Sequence, residues 1–433
     1  MAKLDTNKIR RILDRTLPLK WLEETARRVG ALRRQRKVIL PLLVSTLVLA
    51  FASSSRERTL AAFRTSYEAA SGDTIEESSF YDRFTGEFVK LMQEAFNQAL
   101  ESARGISKRL EGHIRQFVDV LITDSSVIRL HKKLKEVFPG ARNNHSPAAL
   151  KLHAVLNVRG ISDLKIRLSA GKKADLKMFR IGRDVAGKLL LFDLGYFSYN
   201  LFNRIRRAGG WFISRLKDNA NPLIVGLNLT HRGRQRPIVG RRLRDVLKRL
   251  KRDIIDIQVT VEFELRAYNG DKRKATAEYR VVGLRNPLTG EYHLFITNIP
   301  PSMLSAEEVA QSYRYRWEIE LMFKELKYYY HIEELNTSNE HVIMALLYAA
   351  LISWILSRRI RHAVLSALPR RLRRVPARRF AARFAQVAVD LLDFIAQELG
   401  IKISRADRCV KALLDTVIDP NVKRRPTMSA LGC

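Results

Sequence analysis

Two aspartates close apolar runs in this chain, and one helical segment places an acid, two cations and a phenol on a single face. Asp124 follows the β-branched stretch in ITDSSV, and Asp193 ends LLLF just before the turn glycine Gly195. A carboxylate at the end of a buried strand often points into a site, and a catalytic role for each competes with that of a turn or cap aspartate. In the segment Tyr313 to Lys327, the residues Tyr313, Arg316, Glu320 and Lys327 fall within about 60° of one another on a helix. Such a stripe is a poor composition for a core. An ordinary i,i+4 Arg–Glu surface pair is the competing reading. Other chemistries are excluded at once. Gly182 to Lys188 nearly matches a phosphate-cradling loop, but Leu189 stands where a hydroxyl must ligate a metal, and a strand follows instead of a helix. No HExxH, CxxC or GxSxG occurs.

These residues need a sheet and a helix to hold them. From about 115 to 215 the pattern is that of strands: FVDVLITDSSVIRL, KLHAVLNVRG, DLKIRLSAG, KLLLFDLGYF and WFISRLK from Trp211. A short helical stretch near Gly182 to Lys188 precedes the fourth strand, and the helix SYNLFNRIRRAG precedes the fifth. Three strands, then helix, strand, helix and strand, predict a mixed α/β sheet. Residues 217–301 read as an insertion. Its first half is basic, with ten Lys/Arg from Arg232 to Arg252 against Asp245 alone. Its second half is antiparallel β: IQVTVEFELRAY, an Asn269-Gly270 turn, TAEYRVVGL, and EYHLFITNI.

After Pro300-Pro301 the capping signal Ser305-Ala306-Glu307-Glu308 predicts one long helix to about Tyr330, followed by the apolar helix HVIMALLYAALISWIL. Residues 1–110 read as helical, with a second capping box expected at Thr74 to Glu77. They suit a small DNA-binding unit or a helical cap on the next domain. The expected domains are thus 1–110, a central unit of 111–216 with 302–360, the insertion 217–301, and a basic helical region 361–433. That last region opens in an arginine-rich tract, with ten arginines between Arg358 and Arg383 and no acid.

The chain has 433 residues and a formal charge of +34, from 78 Lys+Arg against 44 Asp+Glu. This surplus is costly self-repulsion unless something anionic binds. An anionic membrane surface has one foothold, the uncharged stretch Val38 to Ser55. That stretch contains Pro41 and is apolar for only about 15 residues, short of the roughly 20 that a span needs. A buried core helix is expected there, no membrane partner, and nucleic acid as the anion. A hydrophobic fraction of 46% supports real cores and excludes wholesale disorder. Two cysteines, Cys409 and Cys433, cannot build a disulfide framework or a Cys-rich zinc site, which fits a reducing, cytoplasmic compartment.

The spacing Tyr-x2-Arg-x3-Glu-x6-Lys at Tyr313, Arg316, Glu320 and Lys327 is the signature of the IS4-family DDE transposases, the group of the Tn5 and Tn10 enzymes. TDSSV resembles that family's first-Asp motif and FDLGYFS its second, in the family's order, so the resemblance covers roughly Val118 to Lys327. It implies an RNase H-like catalytic domain with a β-rich insertion between the second Asp and the Glu. It implies Asp124, Asp193 and Glu320 as ligands of two divalent ions, Mg²⁺ or Mn²⁺, one activating a water or 3′-hydroxyl and the other the leaving oxygen. Tyr313, Arg316 and Lys327 are then expected at the DNA phosphates, and Trp317, which matches a family position, at the DNA or in the core. Double-stranded DNA, as transposon end and as target, is the implied partner, bound by a homodimer in a synaptic complex in a prokaryotic, nucleoid-associated setting. A related RNase H-like nuclease without strand transfer, and a domesticated DNA-binding protein, are the alternatives. Intact Asp124, Asp193 and Glu320 speak against the latter. One departure stands out: relatives that excise through a hairpin trap a flipped base on a Trp of the insertion, and no Trp occurs between Trp211 and Trp317. Tyr268 is an aromatic that could take that place.

Overall fold

The computed structural model describes residues 5–34, 38–52, 58–104, 109–141, 146–178, 181–229, 238–266 and 272–401. Ser53 to Ser55, Arg232, Arg234, Arg236, Tyr268, the Asn269-Gly270 turn, Cys409 and Cys433 lie outside those residues.

The first hundred residues are helical, as expected: α1 (Thr6–Thr16), α2 (Leu19–Arg28), α3 (Leu40–Ala52), α4 (Leu60–Ser71), α5 (Glu77–Tyr81) and α6 (Gly86–Ser102). α3 has no polar face, and all thirteen of its residues are buried. It is the core helix that its composition demands. The capping box expected at Thr74 does not form. α5 begins only at Glu77, behind Glu76 and without a side-chain cap. The stretch before it is instead tied back to α4, where Glu68 accepts the Ile75 N–H at 3.0 Å.

The strands β1 (Val120–Arg129), β2 (Ala149–Asn157), β3 (Gly160–Ala170), β4 (Leu189–Phe192) and β5 (Trp211–Arg215) fall where the alternation and apolar runs place them. Between β3 and β4 lie α7 (Asp175–Met178) and a single 3₁₀ turn, Arg183–Val185, and α8 (Tyr199–Arg207) joins β4 to β5. β1 is antiparallel to β2 and β2 to β3, whereas β4 runs parallel to β1 and β5 parallel to β4. This mixed order, β3-β2-β1-β4-β5, is the RNase H-like arrangement.

The insertion contributes β6 (Leu223–Leu227), α9 (Leu243–Leu247), β7 (Ile254–Arg266), β8 (Lys272–Arg285) and β9 (Tyr292–Thr297). Its strands continue the sheet. β9 pairs antiparallel with β5, giving nine strands in the order β3-β2-β1-β4-β5-β9-β8-β7-β6. β6 was not expected. It is a five-residue edge strand, bulged between Ile224 and Gly226, too short for an alternation signal.

Beyond the insertion come α10 (Ala306–Arg314), α11 (Trp317–Tyr328), α12 (Glu340–Ala367), α13 (Ala377–Val387) and α14 (Leu392–Glu398). Ser305 makes the expected capping box with Glu308. The single long helix, however, is two. Tyr315, Arg316 and Glu318 donate to carbonyls three residues back, at Ser312, Tyr313 and Tyr315, a 3₁₀ turn between α10 and α11. Such a turn eclipses residues i and i+3, and the Arg316 guanidinium accordingly lies over the Tyr313 ring at 5.7 Å. α12 is long and apolar enough to cross a bilayer, yet 83% of its apolar window is buried inside the fold. It threads the main core with α3, α6 and one face of the sheet. A second core of α8, α9 and the insertion strands covers the other face.

Candidate active site

Parallel pairing of β1 with β4 ends at Thr123 opposite Phe192. Asp124 is the next residue of β1 and Asp193 the residue just past the end of β4, so the two carboxylates emerge side by side. Strand β1 alternates Val120, Ile122 and Ile128 into the main core, which puts Asp124 on that same face, toward α11. Its register partner on β2 is Ala154, a residue too small to cover it. Asp124 Oδ1 accepts the Ser125 N–H at 2.7 Å. Asp193 occupies the N-cap position of the 3₁₀ turn Leu194–Tyr196 but makes no capping hydrogen bond. Its side chain is therefore not explained as a cap.

Glu320 comes from α11. Its Oε1 lies 2.5 Å from Arg316 Nη2, and both side chains are largely enclosed. Tyr313, buried at the end of α10, donates its hydroxyl to the Phe192 carbonyl at 3.1 Å, the peptide that leads into Asp193. Tyr313, Arg316, Glu320, Asp193 and Asp124 thus converge. Lys327 sits farther along α11, 2.7 Å from Glu333 and 3.4 Å from the Val127 carbonyl on β1. Trp317 is 53% exposed, so it is not a core residue. Arg316 and Lys324 each stand 5.5 Å from its ring.

Asp175 escapes any spacing rule, because it opens a four-residue helix in a loop. It accepts the Ser125 hydroxyl at 2.8 Å and stands 3.2 Å from Lys151. No linear pattern carries its position beside the first-Asp motif, which the fold alone creates. Of the arginine-rich tract, Arg358 pairs with the buried Glu325 at 2.7 Å, Arg359 is buried against Ser102, and Arg361 donates to the Val375 carbonyl. Arg359 belongs to the core, and Arg358 and Arg361 are half-buried beside it and held by protein partners.

Burial pushes the Asp124 carboxyl up to about 6, and the neighbouring Asp193 and Glu320 charges add to the rise, against the Ser125 N–H and Arg316. A half-buried Asp124 whose ionisation is disfavoured beside two further carboxylates suits a hard divalent cation. Among the described residues, no three potential ligands are already at metal-holding distance. Arg316 pairs with Glu320 and brings a positive charge to the carboxylates. The donor chemistry of Asp124, Asp193 and Glu320 fits a hard metal, with Arg316 the partner of Glu320 in this structure.

A stability prediction follows from the raised carboxyl. A folded value of about 6 against an ordinary 3.8 means that the protonated form is favoured by folding. That stability is complete below the ordinary value and lost as pH rises through about 6. In metal-free protein, Asp124→Asn should therefore raise the melting temperature at pH 7.5 by a few degrees, and the gain should vanish toward pH 4. Differential scanning fluorimetry across pH 4–8 measures it; a gain that does not change with pH would sink this account of Asp124.

Residues 115–356, more than half of the chain, match the family model described as the transposase DDE domain, a span that contains Asp124, Asp193 and Glu320. The chain is similar to the transposase for insertion sequence element IS1151 of Clostridium perfringens, 27% identical over 310 residues that make up 64% of each protein. It is also similar to the transposase for insertion sequence element IS231F of Bacillus thuringiensis subsp. israelensis, 23% identical over 79% of this chain and 77% of the relative. A shorter stretch of 74 residues is 36% identical to the putative transposase InsL for insertion sequence element IS186A of Escherichia coli, covering 17% of this chain and 20% of that one.

Proposed function

We propose, from the premise that this chain belongs to the DDE-domain transposases of the IS4 family, that it cuts phosphodiester bonds at the ends of an insertion sequence and joins the 3′-hydroxyl to target DNA, with Asp124, Asp193 and Glu320 at the centre. Proteins of this family act on DNA and depend on a divalent metal. The observation that carries the residue assignment is the pair of carboxylates at adjoining strand ends, with Glu320 near enough for its charge to raise Asp124. These three carboxylates would hold two Mg²⁺ or Mn²⁺ ions, which supply positive charge to the scissile phosphate and an acidified water or hydroxyl. The chain's own residues position the DNA. Arg316, with its planar fork, and Lys327, as a point charge, would grip phosphates beside the cut. Tyr313 would fix the Asp193 peptide through its hydroxyl, and Trp317 would offer an exposed ring to the strand. Residues 1–110 and 361–433 would bind DNA around the catalytic unit formed by 111–216 and 302–360, with 217–301 as the insertion. Two copies would pair two ends in a synaptic complex, in the cytoplasm and at the nucleoid. The test is a supercoiled donor carrying the element's ends with a plasmid target: excised ends joined to target support the reading, and cutting without joining reduces it to a nuclease.

Within the insertion, Arg244 is tied to the carbonyls of Lys217 and Ala220, whereas Arg241, Lys248, Arg249 and Lys251 are exposed. Phosphate contact by these four is expected to make affinity fall steeply with salt. Changing all four to Gln should flatten the slope of log K against log[salt] by roughly 0.9 per lost contact. An unchanged slope in fluorescence-anisotropy titrations would assign them to solubility.

A further inference from the structure

Arg280 lies in the middle of β8, 2% exposed, beside Asp256 of β7 at 4%. Its Nε and Nη2 donate to the two oxygens of Asp256 at 2.7 and 2.5 Å. Its remaining Nη1 reaches out of the hairpin and donates to the carbonyls of Ile299 at 3.2 Å and Leu304 at 2.8 Å. Asp256 also accepts from Asn228 at 2.8 Å. A buried ion pair is a poor route to stability, because desolvating both charges offsets most of their attraction, and apolar side chains of similar size do as well. What an apolar pair cannot do is hold two backbone carbonyls in fixed directions.

Those carbonyls frame the start of α10. Leu304 immediately precedes Ser305, the N-cap, and Ile299 leaves β9. The far end of α10 is held by Tyr313 on the Phe192 carbonyl. The helix is therefore anchored at its origin to the insertion and at its end to β4, and the tight turn after it launches α11 with Arg316 and Glu320. We propose that Arg280 is a positioning residue for the reaction: through Ile299 and Leu304, the insertion sets where α10 and α11 deliver Glu320. The inference rests on the assignment of Glu320 given above.

The test separates placement from stability. In Arg280→Met/Asp256→Asn no unpaired charge remains, and the Asn side chain still offers Asn228 an acceptor. This double variant should melt a few degrees below the parent, because the Ile299 and Leu304 carbonyls lose their donor, yet remain folded in the assay and bind end DNA with parent affinity. Its single-turnover cleavage of a pre-bound end should nevertheless fall roughly 10- to 10²-fold, the loss expected when a reacting group is misplaced by about 1 Å. Arg280→Lys, which keeps the charge but cannot bridge the carboxylate and both carbonyls, should show the same split in milder form, and it carries the test alone if the double variant does not fold. Parent-rate cleavage in whichever variant folds overturns the proposal. Glu320→Ala, run alongside, reports separately on the assignment of Glu320: if that variant cleaves normally, the underlying reading fails instead.

Discussion

Replacing Asp124, Asp193 or Glu320 by alanine should reduce cleavage at the element's ends by at least about 10²–10³-fold, and leave end binding intact. The reason is division of labour. Affinity comes mainly from cations on phosphates, of which a chain at +34 has many. Catalysis depends on the few oxygens able to concentrate positive charge at one phosphodiester. Removing one carboxylate also removes repulsion toward DNA, so binding measured without metal should hold or tighten. Glu320 is the decisive variant of the three. The two aspartates emerge from adjoining strands, but Glu320 is held by Arg316 at 2.5 Å, and a mere ion-pair partner could be lost without harm to the chemistry. Near-parent cleavage by Glu320→Ala in Mg²⁺ would remove it from the site.

The second large effect is expected at the cations. Arg316→Ala and Lys327→Ala should each lower single-turnover cleavage of a pre-bound end about 10²-fold. If Arg316 were only an i,i+4 partner of Glu320, its loss would cost about 0.3–0.5 kcal/mol of stability and nothing in rate. Its surroundings argue for more. Arg316 is buried, its guanidinium stands over the Tyr313 and Trp317 rings, and it shares its field with Asp193. Lys at 316 should rescue poorly, because a point charge lacks the bidentate fork. Tyr313→Phe should be milder, since it loses one hydrogen bond, to the Phe192 carbonyl. Melting temperatures taken on the same samples separate stability from chemistry. Full-rate cleavage by both Arg316→Ala and Lys327→Ala would leave the clamp refuted.

Much of this architecture is legible in the linear chain, for physical reasons that also mark the limits. β1 and β4 are apolar, β-branched or leucine runs that only a buried strand can accommodate, and α3 has no polar face to expose. The capping box at Ser305 is a local interaction, so four residues suffice to read it. What failed is what depends on distant partners. Thr74 carries the same capping signature, but α5 starts only at Glu77 and the stretch before it is held by Glu68 of α4. The break between α10 and α11 has no proline or glycine to announce it; it accompanies tertiary contacts of Tyr313 and Arg316. That β9 joins the sheet through β5 is a long-range pairing, invisible to local pattern. The arginines at 358, 359 and 361 look like solvent-facing charge in composition, yet Arg359 is buried and the other two are half-buried on protein partners, because α12 runs through the core. Within the candidate site, periodicity exposes the face of Arg316 and Glu320, whereas Asp175 and Arg280 reach their partners only through the fold.

Asp124, Asp193 and Glu320 together are expected to hold the divalent metal on which cutting depends. Titrating Mn²⁺ into protein pre-bound to an end, and following the bound ion by electron paramagnetic resonance, measures this. Parent protein is compared with Asp124→Asn, Asp193→Asn and Glu320→Gln, three changes that conserve shape and remove one charge each. The expected result is tight Mn²⁺ binding by the parent and a weakening of at least tenfold in every variant, in step with lost cleavage. Parent-like Mn²⁺ affinity in all three variants would contradict the claim.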